Sequence, residues 1–257
     1  MSGAGVPFKF HYGSPVSRAR ALYRIPTAPN TNRTLELYHA REPLLADFAW
    51  PGAGSISCRL DTDDPSGNPA AQAHVSGDLR RANYQTPLPF AAASFDLVIL
   101  HRTLDELAVS SRQNGSTFSA QALLKDIARV LVPGGLVAGC VDNRTGLKSV
   151  VRSAKHLLNR SAGKLPLAHF TLRSVRDLLV ATNLAEVRTF SLLPNCASPL
   201  RLVDADATLS RIAFRHELQV ARHSWSAVGY LVRRCVVELG LFPILEESIF
   251  FWAYKRC

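Results

Sequence analysis

One short stretch concentrates side chains that can move protons. Leu100-His101-Arg102-Thr103-Leu104-Asp105-Glu106 follows directly on an apolar run. A free imidazole titrates at roughly 6.5, so His101 can take a proton from a hydroxyl nucleophile. Asp105 or Glu106 can orient that ring or bind the hydroxyls of a sugar. A histidine closing a strand beside Arg and Asp equally serves as a structural hydrogen-bonding residue, and the sequence leaves both roles open. Two further acids stand at sensible places. Asp61 or Asp63 can reach ligand hydroxyls, although Thr62-Asp63-Asp64-Pro65-Ser66-Gly67-Asn68-Pro69 also has the composition of a surface turn. Asp78 closes the strand-like Val75–Asp78. A carboxylate at the carboxyl end of a parallel strand is where open sheets bind ligands, and it can also cap the following turn.

The elements that must position these residues follow from apolar periodicity. Ser94–Leu100 is short, apolar and rich in branched residues, which reads as a strand buried on both faces. From Phe118 to Val132, Leu123, Leu124, Ile127, Val130 and Leu131 line one helical face, with Lys125, Asp126 and Arg129 opposite. Thr117 or Ser119 can cap that helix, and Pro133-Gly134-Gly135 ends it. Leu136–Val141 is a second buried strand, so strand, helix and strand form a right-handed crossover in one sheet. Upstream, Thr31–Phe48 predicts a helix centred on Thr34–Arg41, followed by a strand-like Ser55–Leu60. Downstream, Thr171 caps a helix ended by Asn183, then Glu186–Leu193 and Ser248–Tyr254 predict strands. Thr145–His169 is a basic amphipathic stretch suited to a lid or a membrane-surface helix. Asp204–Gly240 is helical in pattern and strongly basic.

Several of these segments together resemble a known family. Gly77-Asp78 after one strand, Leu88-Pro89-Phe90 before Ser94–Leu100, the helix end Ala128-Arg129-Val130-Leu131-Val132-Pro133-Gly134-Gly135, and Leu136–Asn143 are similar to the second half of class I S-adenosylmethionine-dependent methyltransferases. The resemblance covers Val75–Asn143 and, more loosely, the chain beyond it. It implies an α/β fold: a three-layer Rossmann-like sheet, mostly parallel, with an antiparallel C-terminal edge hairpin and a helical insertion before the last strand. It implies S-adenosyl-L-methionine as cofactor. In the family a glycine-rich turn after the first strand admits that cofactor, and an acid after the second strand, here Asp61 or Asp63, binds the ribose. The resemblance also sets Asp78 on the adenine amino group, the Leu79 backbone against the ring, and the methionine end and the acceptor near His101. Gly52 and Gly54 are the candidates for the turn, but they precede a strand instead of following one.

The insertion, the Pro-Leu-Pro-Phe segment and the Thr171–Leu179 helix are similar to methyltransferases acting on sugars or surface polysaccharides. That implies O-methylation of a sugar, polysaccharide or related anionic small molecule. The alternative is a catalytically inactive scaffold or partner subunit, with a protein partner completing or replacing the cofactor site. An RNA methyltransferase reading rests on charge alone.

Composition bounds these readings. At 257 residues, 47% of them hydrophobic, the chain can bury a full core. It divides into an irregular basic arm, 1–33, and a methyltransferase-like domain, 34–257, with insertions at about 144–170 and 200–243. No apolar run approaches the ~20 residues that span a bilayer. The five cysteines lack metal-ligand spacing, so reduced thiols and no zinc site are expected. The net charge of +10 suits an anionic partner or a solvated basic exterior. A cytoplasmic setting is expected, with peripheral membrane association as an alternative. The arm has no acid before Glu36, as in mitochondrial leaders, but Pro7, Pro15, Pro26 and Pro29 spoil the amphipathic helix such leaders need.

Overall fold

A computed structural model describes residues 8–9, 15–24, 26, 31–39, 44, 54–61, 78–83, 87–113, 115, 118–146, 170–193, 196–197, 199, 201–205, 234–235, 238–239 and 246–257. Two strands form the centre expected from sequence. β5 (Phe95–His101) and β6 (Leu131–Asp142) pair in parallel, from Leu97 opposite Leu136 to His101 opposite Cys140. The crossover between them carries α2 (Thr103–Gln113) and α3 (Ala120–Val130). Ser119 caps α3, its hydroxyl oxygen accepting from Ala122 N–H at 3.2 Å. The Pro-Gly-Gly after α3 lies inside β6 and not before it. Gly134 takes φ +74, and the register against β5 shifts there. A glycine tolerates that left-handed kink, so the strand resumes after a bulge.

The segment predicted as a helix around Thr34–Arg41 is instead a strand, β2 (Thr34–Tyr38). It pairs in parallel with β5 on one edge and with β3 (Ser55–Asp61) on the other. All five residues are buried. Leu and Glu have good helix propensity, but two neighbouring strands and a core outweigh a bias of a few tenths of a kcal/mol per residue. β4 (Asp78–Asn83) pairs with β3, Ile56 opposite Asp78 and Asp61 opposite Asn83. Asp78 therefore opens its strand rather than closing it, a displacement of one strand length from the expected place.

The chain completes the sheet with β7 (Leu184–Leu193), β8 (Arg201–Asp204) and β9 (Ser248–Lys255), all antiparallel to their neighbours. Among the described residues the order is β1-β8-β7-β9-β6-β5-β2-β3-β4, where β1 is Phe8–Lys9. The run β4-β3-β2-β5-β6 is parallel, and β9 enters between β6 and β7 as the expected antiparallel hairpin. α4 (Leu172–Val180) is capped by Thr171 and Ser174, each side chain bonded to the other's backbone N–H. Asn183 takes the left-handed conformation, at φ +62.

The arm is not irregular where it is described. α1 (Pro15–Arg24) begins on Pro15, the first-turn position that a missing N–H favours. Pro15 thus opens the helix, and Pro26 lies beyond its end at Arg24. Leu22 and Tyr23 of α1 pack on one sheet face with Leu97, Ile99, Ala138, Cys140 and Phe250. α2, α3 and α4 cover the other face through Leu104, Leu107, Leu124, Ile127, Val175 and Leu179. Three layers result. The expected insertions lie mostly outside the described residues, at 147–169 and 206–233.

β6 and β9 approach tightly at Gly139. A Cβ built there meets the Phe251 ring at 2.5 Å and Leu100 at 3.0 Å. Gly139→Ala is expected to destabilise the domain by about 1–3 kcal/mol, the usual cost of overpacking a core. Urea denaturation checks this; an unchanged midpoint would mean that the two strands can separate freely.

Candidate functional site

The parallel strands share a direction, so their carboxyl ends make one mouth. Tyr38, Asp61, Asn83, His101 and Asp142 stand at those ends. Open α/β sheets bind ligands there because the loops diverge and leave a crevice. Asp61 is where the sequence expected it, closing β3. Gly54 precedes β3 at the amino-terminal side, with φ +129, and so cannot supply the turn after the first strand. Gly52 and Asp63 lie outside the described residues. Asp78, with Leu79 after it, begins β4, and the place at the mouth falls to Asn83. A cavity of about 480 Å³ lined by Arg33, Phe90 and Phe95 opens at the amino ends of the same strands, away from these residues.

The first strand organises one side of the mouth. Glu36, 1% exposed, accepts from Leu44 N–H at 2.6 Å and from the Ser57 hydroxyl at 3.3 Å. A buried carboxylate requires such donors, and here they bind the returning loop to the strand. Beyond Tyr38, His39 Nδ1 reaches the Leu60 carbonyl at 2.5 Å, bridging the tips of β2 and β3. The hydroxyl of Thr103 donates to the Leu37 carbonyl at 2.5 Å, fixing the start of α2 against the same tip.

The second side is a charged cluster on β5, α2 and β6. Arg102 occupies the left-handed region at φ +61, which turns the chain sharply from β5 into α2. Its guanidinium donates to Asp142 at 2.9 Å. Asp105, 6% exposed, accepts from Asp142 N–H at 2.7 Å, so its carboxyl faces the β6 backbone and does not orient His101. Its other oxygen is buried without a hydrogen-bond partner, as is Arg102 Nε. Glu106 is half-buried in the first turn of α2. His101 instead meets Tyr23 of α1, whose hydroxyl lies 3.0 Å from Nδ1, and Cys140, whose sulfur lies 3.5 Å from the same nitrogen. Sequence reasoning missed Tyr23, Glu36 and Cys140. Only Glu36 left a signal, an acid inside the apolar Leu35-Glu36-Leu37.

Burial raises the Asp105 carboxyl well above the usual range, and the neighbouring Asp142 charge adds to this; the Asp142 N–H and Arg102 oppose it. The folded chain therefore holds that proton more tightly than the unfolded one. Its stabilising contribution is fully present below the unfolded carboxyl pKa, roughly 3.9, and is lost as pH rises toward the raised folded value. Asp105→Asn keeps an acceptor for Asp142 N–H and cannot ionise. It is expected to melt above the wild type at pH 8, by ~2–4 °C per ~1 kcal/mol, and to match it near pH 4. A lower melting point at both would show that the carboxyl is needed ionised.

Comparison with known proteins agrees with the geometry. Residues 53–139 match the family model of a methyltransferase domain, a segment that begins beyond the β2 tip. No curated protein matches the chain. Among solved structures it is similar to an S-adenosylmethionine-dependent methyltransferase from Archaeoglobus fulgidus, at 13% identity over 95% of both chains and a TM-score of 0.53. It is also similar to a possible histamine N-methyltransferase from Thermotoga maritima, at 12% identity over 95% of this chain and 90% of that one, with a TM-score of 0.52.

The mouth fits the family's cofactor in part. Asp61 stands at the carboxyl end of β3, as a ribose-binding acid requires. The sequence after β2 differs, because Tyr38-His39-Ala40-Arg41-Glu42 contains no glycine. Residues 53–139 thus match a methyltransferase domain, and the fold is the one seen in solved S-adenosylmethionine-dependent methyltransferases.

Proposed function

We propose that the chain is an S-adenosylmethionine-dependent methyltransferase acting on a hydroxyl of a small, oxygen-rich acceptor such as a sugar or a related anionic molecule. The observation that carries this reading is the strand order β4-β3-β2-β5-β6-β9-β7, which sets Asp61 and His101 at one mouth. When bound, the cofactor supplies an activated methyl group on a sulfonium centre. The chain's own part is to position the acceptor and to remove its proton. His101 closes β5 at this mouth, with Nδ1 turned to Tyr23 and Cys140, and is the residue we assign as base for the hydroxyl proton. Asp105 and Arg102 then contribute polarity beside the acceptor, and the net charge of +10 favours an acidic one.

A second reading is favoured by one observation, the absence of glycine from Tyr38-His39-Ala40-Arg41-Glu42 after β2. In that reading the sheet persists as a scaffold or partner subunit, and a protein partner occupies or completes the mouth.

Titration calorimetry of the purified chain with S-adenosylmethionine separates the two. Binding in the micromolar range, weakened tenfold or more in Asp61→Asn, is expected for the enzyme. No heat at millimolar cofactor would abandon it for the scaffold. Given binding, His101→Ala is expected to lower turnover at least a hundredfold while leaving cofactor affinity within a few-fold. An unchanged rate would remove His101 as the base.

A further inference from the structure

We propose that Tyr23, on helix α1 of the N-terminal arm, is a positioning residue that fixes the tautomer of His101, holding the ring hydrogen on Nδ1 and the lone pair on Nε2 through a relay that ends on the Cys140 sulfur. The inference deepens the methyl-transfer reading and rests on it for its use, because His101 is the base there. The tautomer itself stands apart from that reading.

Three distant elements bring the groups together. Cys140 stands on β6 directly opposite His101 on β5, and Tyr23 reaches both from α1, 78 residues before His101. The Tyr23 hydroxyl is 3.0 Å from His101 Nδ1 and 3.7 Å from the Cys140 sulfur, and that sulfur is 3.5 Å from the same nitrogen. Tyr23 and Cys140 are both 0% exposed. The Tyr23 ring lies edge-on to two others, at 5.9 Å and 77° from His101 and at 5.5 Å and 69° from Phe250. Packed in this way, the phenol keeps its place, and its hydroxyl hydrogen is the part left to turn.

A phenol carries one hydrogen, and here it is donated to the Cys140 sulfur. Burial raises the Tyr23 hydroxyl well above its usual range, so that hydrogen stays on the phenol. The shorter contact must then take its hydrogen from the ring: Nδ1–H donates to the phenol oxygen at 3.0 Å, an ordinary length for N–H···O. The reverse relay would need the thiol, a weak donor, to give its hydrogen to the phenol oxygen. A thiol hydrogen placed on Nδ1 would leave the 3.0 Å contact between oxygen and nitrogen with no hydrogen in it. A neutral imidazole has one ring hydrogen, so Nδ1–H puts the lone pair on Nε2. An acceptor hydroxyl that passes its proton to Nε2 makes the ring an imidazolium with both nitrogens protonated, and the phenol oxygen keeps its hydrogen bond from Nδ1–H before and after. On this inference α1 belongs to the site as well as to the core.

The test is nitrogen NMR of the histidine rings in the full chain at about pH 8, where an imidazole of ordinary pKa is neutral. The His101 signals are assigned by their loss in His101→Gln. The expected wild-type spectrum has His101 protonated on Nδ1 and unprotonated on Nε2 as the majority form. Tyr23→Phe keeps the ring against Phe250 and removes the hydroxyl alone, and the ratio of the Nδ1–H to the Nε2–H form is expected to fall at least about fivefold. Cys140→Ala removes the acceptor of the phenol hydrogen, which can then turn to Nδ1, so this variant is expected to reverse the majority form with Tyr23 intact. Cooperative melting shows which variants are folded, and the wild-type and Cys140→Ala spectra decide the outcome if Tyr23→Phe is not. A wild-type His101 with its hydrogen on Nε2, or with hydrogens on both nitrogens, would overturn the proposal. So would a ratio that either folded variant leaves at the wild-type value. Titration of the same samples with S-adenosylmethionine keeps the two readings apart: the expected tautomers without binding retire methyl transfer and leave the relay, whereas binding with the hydrogen on Nε2 retires the relay alone.

Discussion

The parallel pairing of β2 on both of its edges is the constraint from which the mouth follows. A strand with β3 on one side and β5 on the other, and core on its faces, has no solvent-facing residue, and all of Thr34–Tyr38 is buried. Glu36 is carried inside with the rest. An uncompensated carboxylate there would cost several kcal/mol, and Leu44 N–H and the Ser57 hydroxyl compensate it.

The tips of the neighbouring strands are joined by the same kind of bond. Thr103 ties α2 to Leu37, Asp105 ties it to Asp142, and Arg102 closes onto Asp142 from a left-handed turn. The Ser248 hydroxyl adds the start of β9, donating to Asp142 at 3.4 Å. On the far face α1 brings Tyr23 onto His101. Each contact joins residues far apart in sequence, so the cluster exists only when the sheet is complete. It is a site made of strand ends and not of a contiguous motif.

The segments that carry the family resemblance do a different job. Asp126 accepts from Leu88 N–H, while the Arg129 guanidinium donates to the Phe90 carbonyl at 2.7 Å and the Leu88 carbonyl at 2.9 Å. The Leu88-Pro89-Phe90 segment and the end of α3 are thus one clamp that sets the loop entering β5. Phe90 and Phe95 then stack edge to face at 5.1 Å. The matched pattern reports how the crossover is built.

The sequence by itself determined the central crossover, the Ser119 and Thr171 caps, the C-terminal hairpin and the place of His101, because each depends on periodicity or capping within a few residues. It also placed Asp61 at a strand end. Only the tertiary structure decided that Thr34–Tyr38 is a strand, that Asp78 opens β4, that Gly54 lies at the wrong end of the sheet, and that Pro15–Arg24 is a helix seated on the core. In each case the outcome depends on which backbone pairs alongside, an interaction between segments tens of residues apart. Side-chain periodicity does not encode that partner, since Leu35-Glu36-Leu37 suits a helix as well as a strand until β3 and β5 claim its two edges.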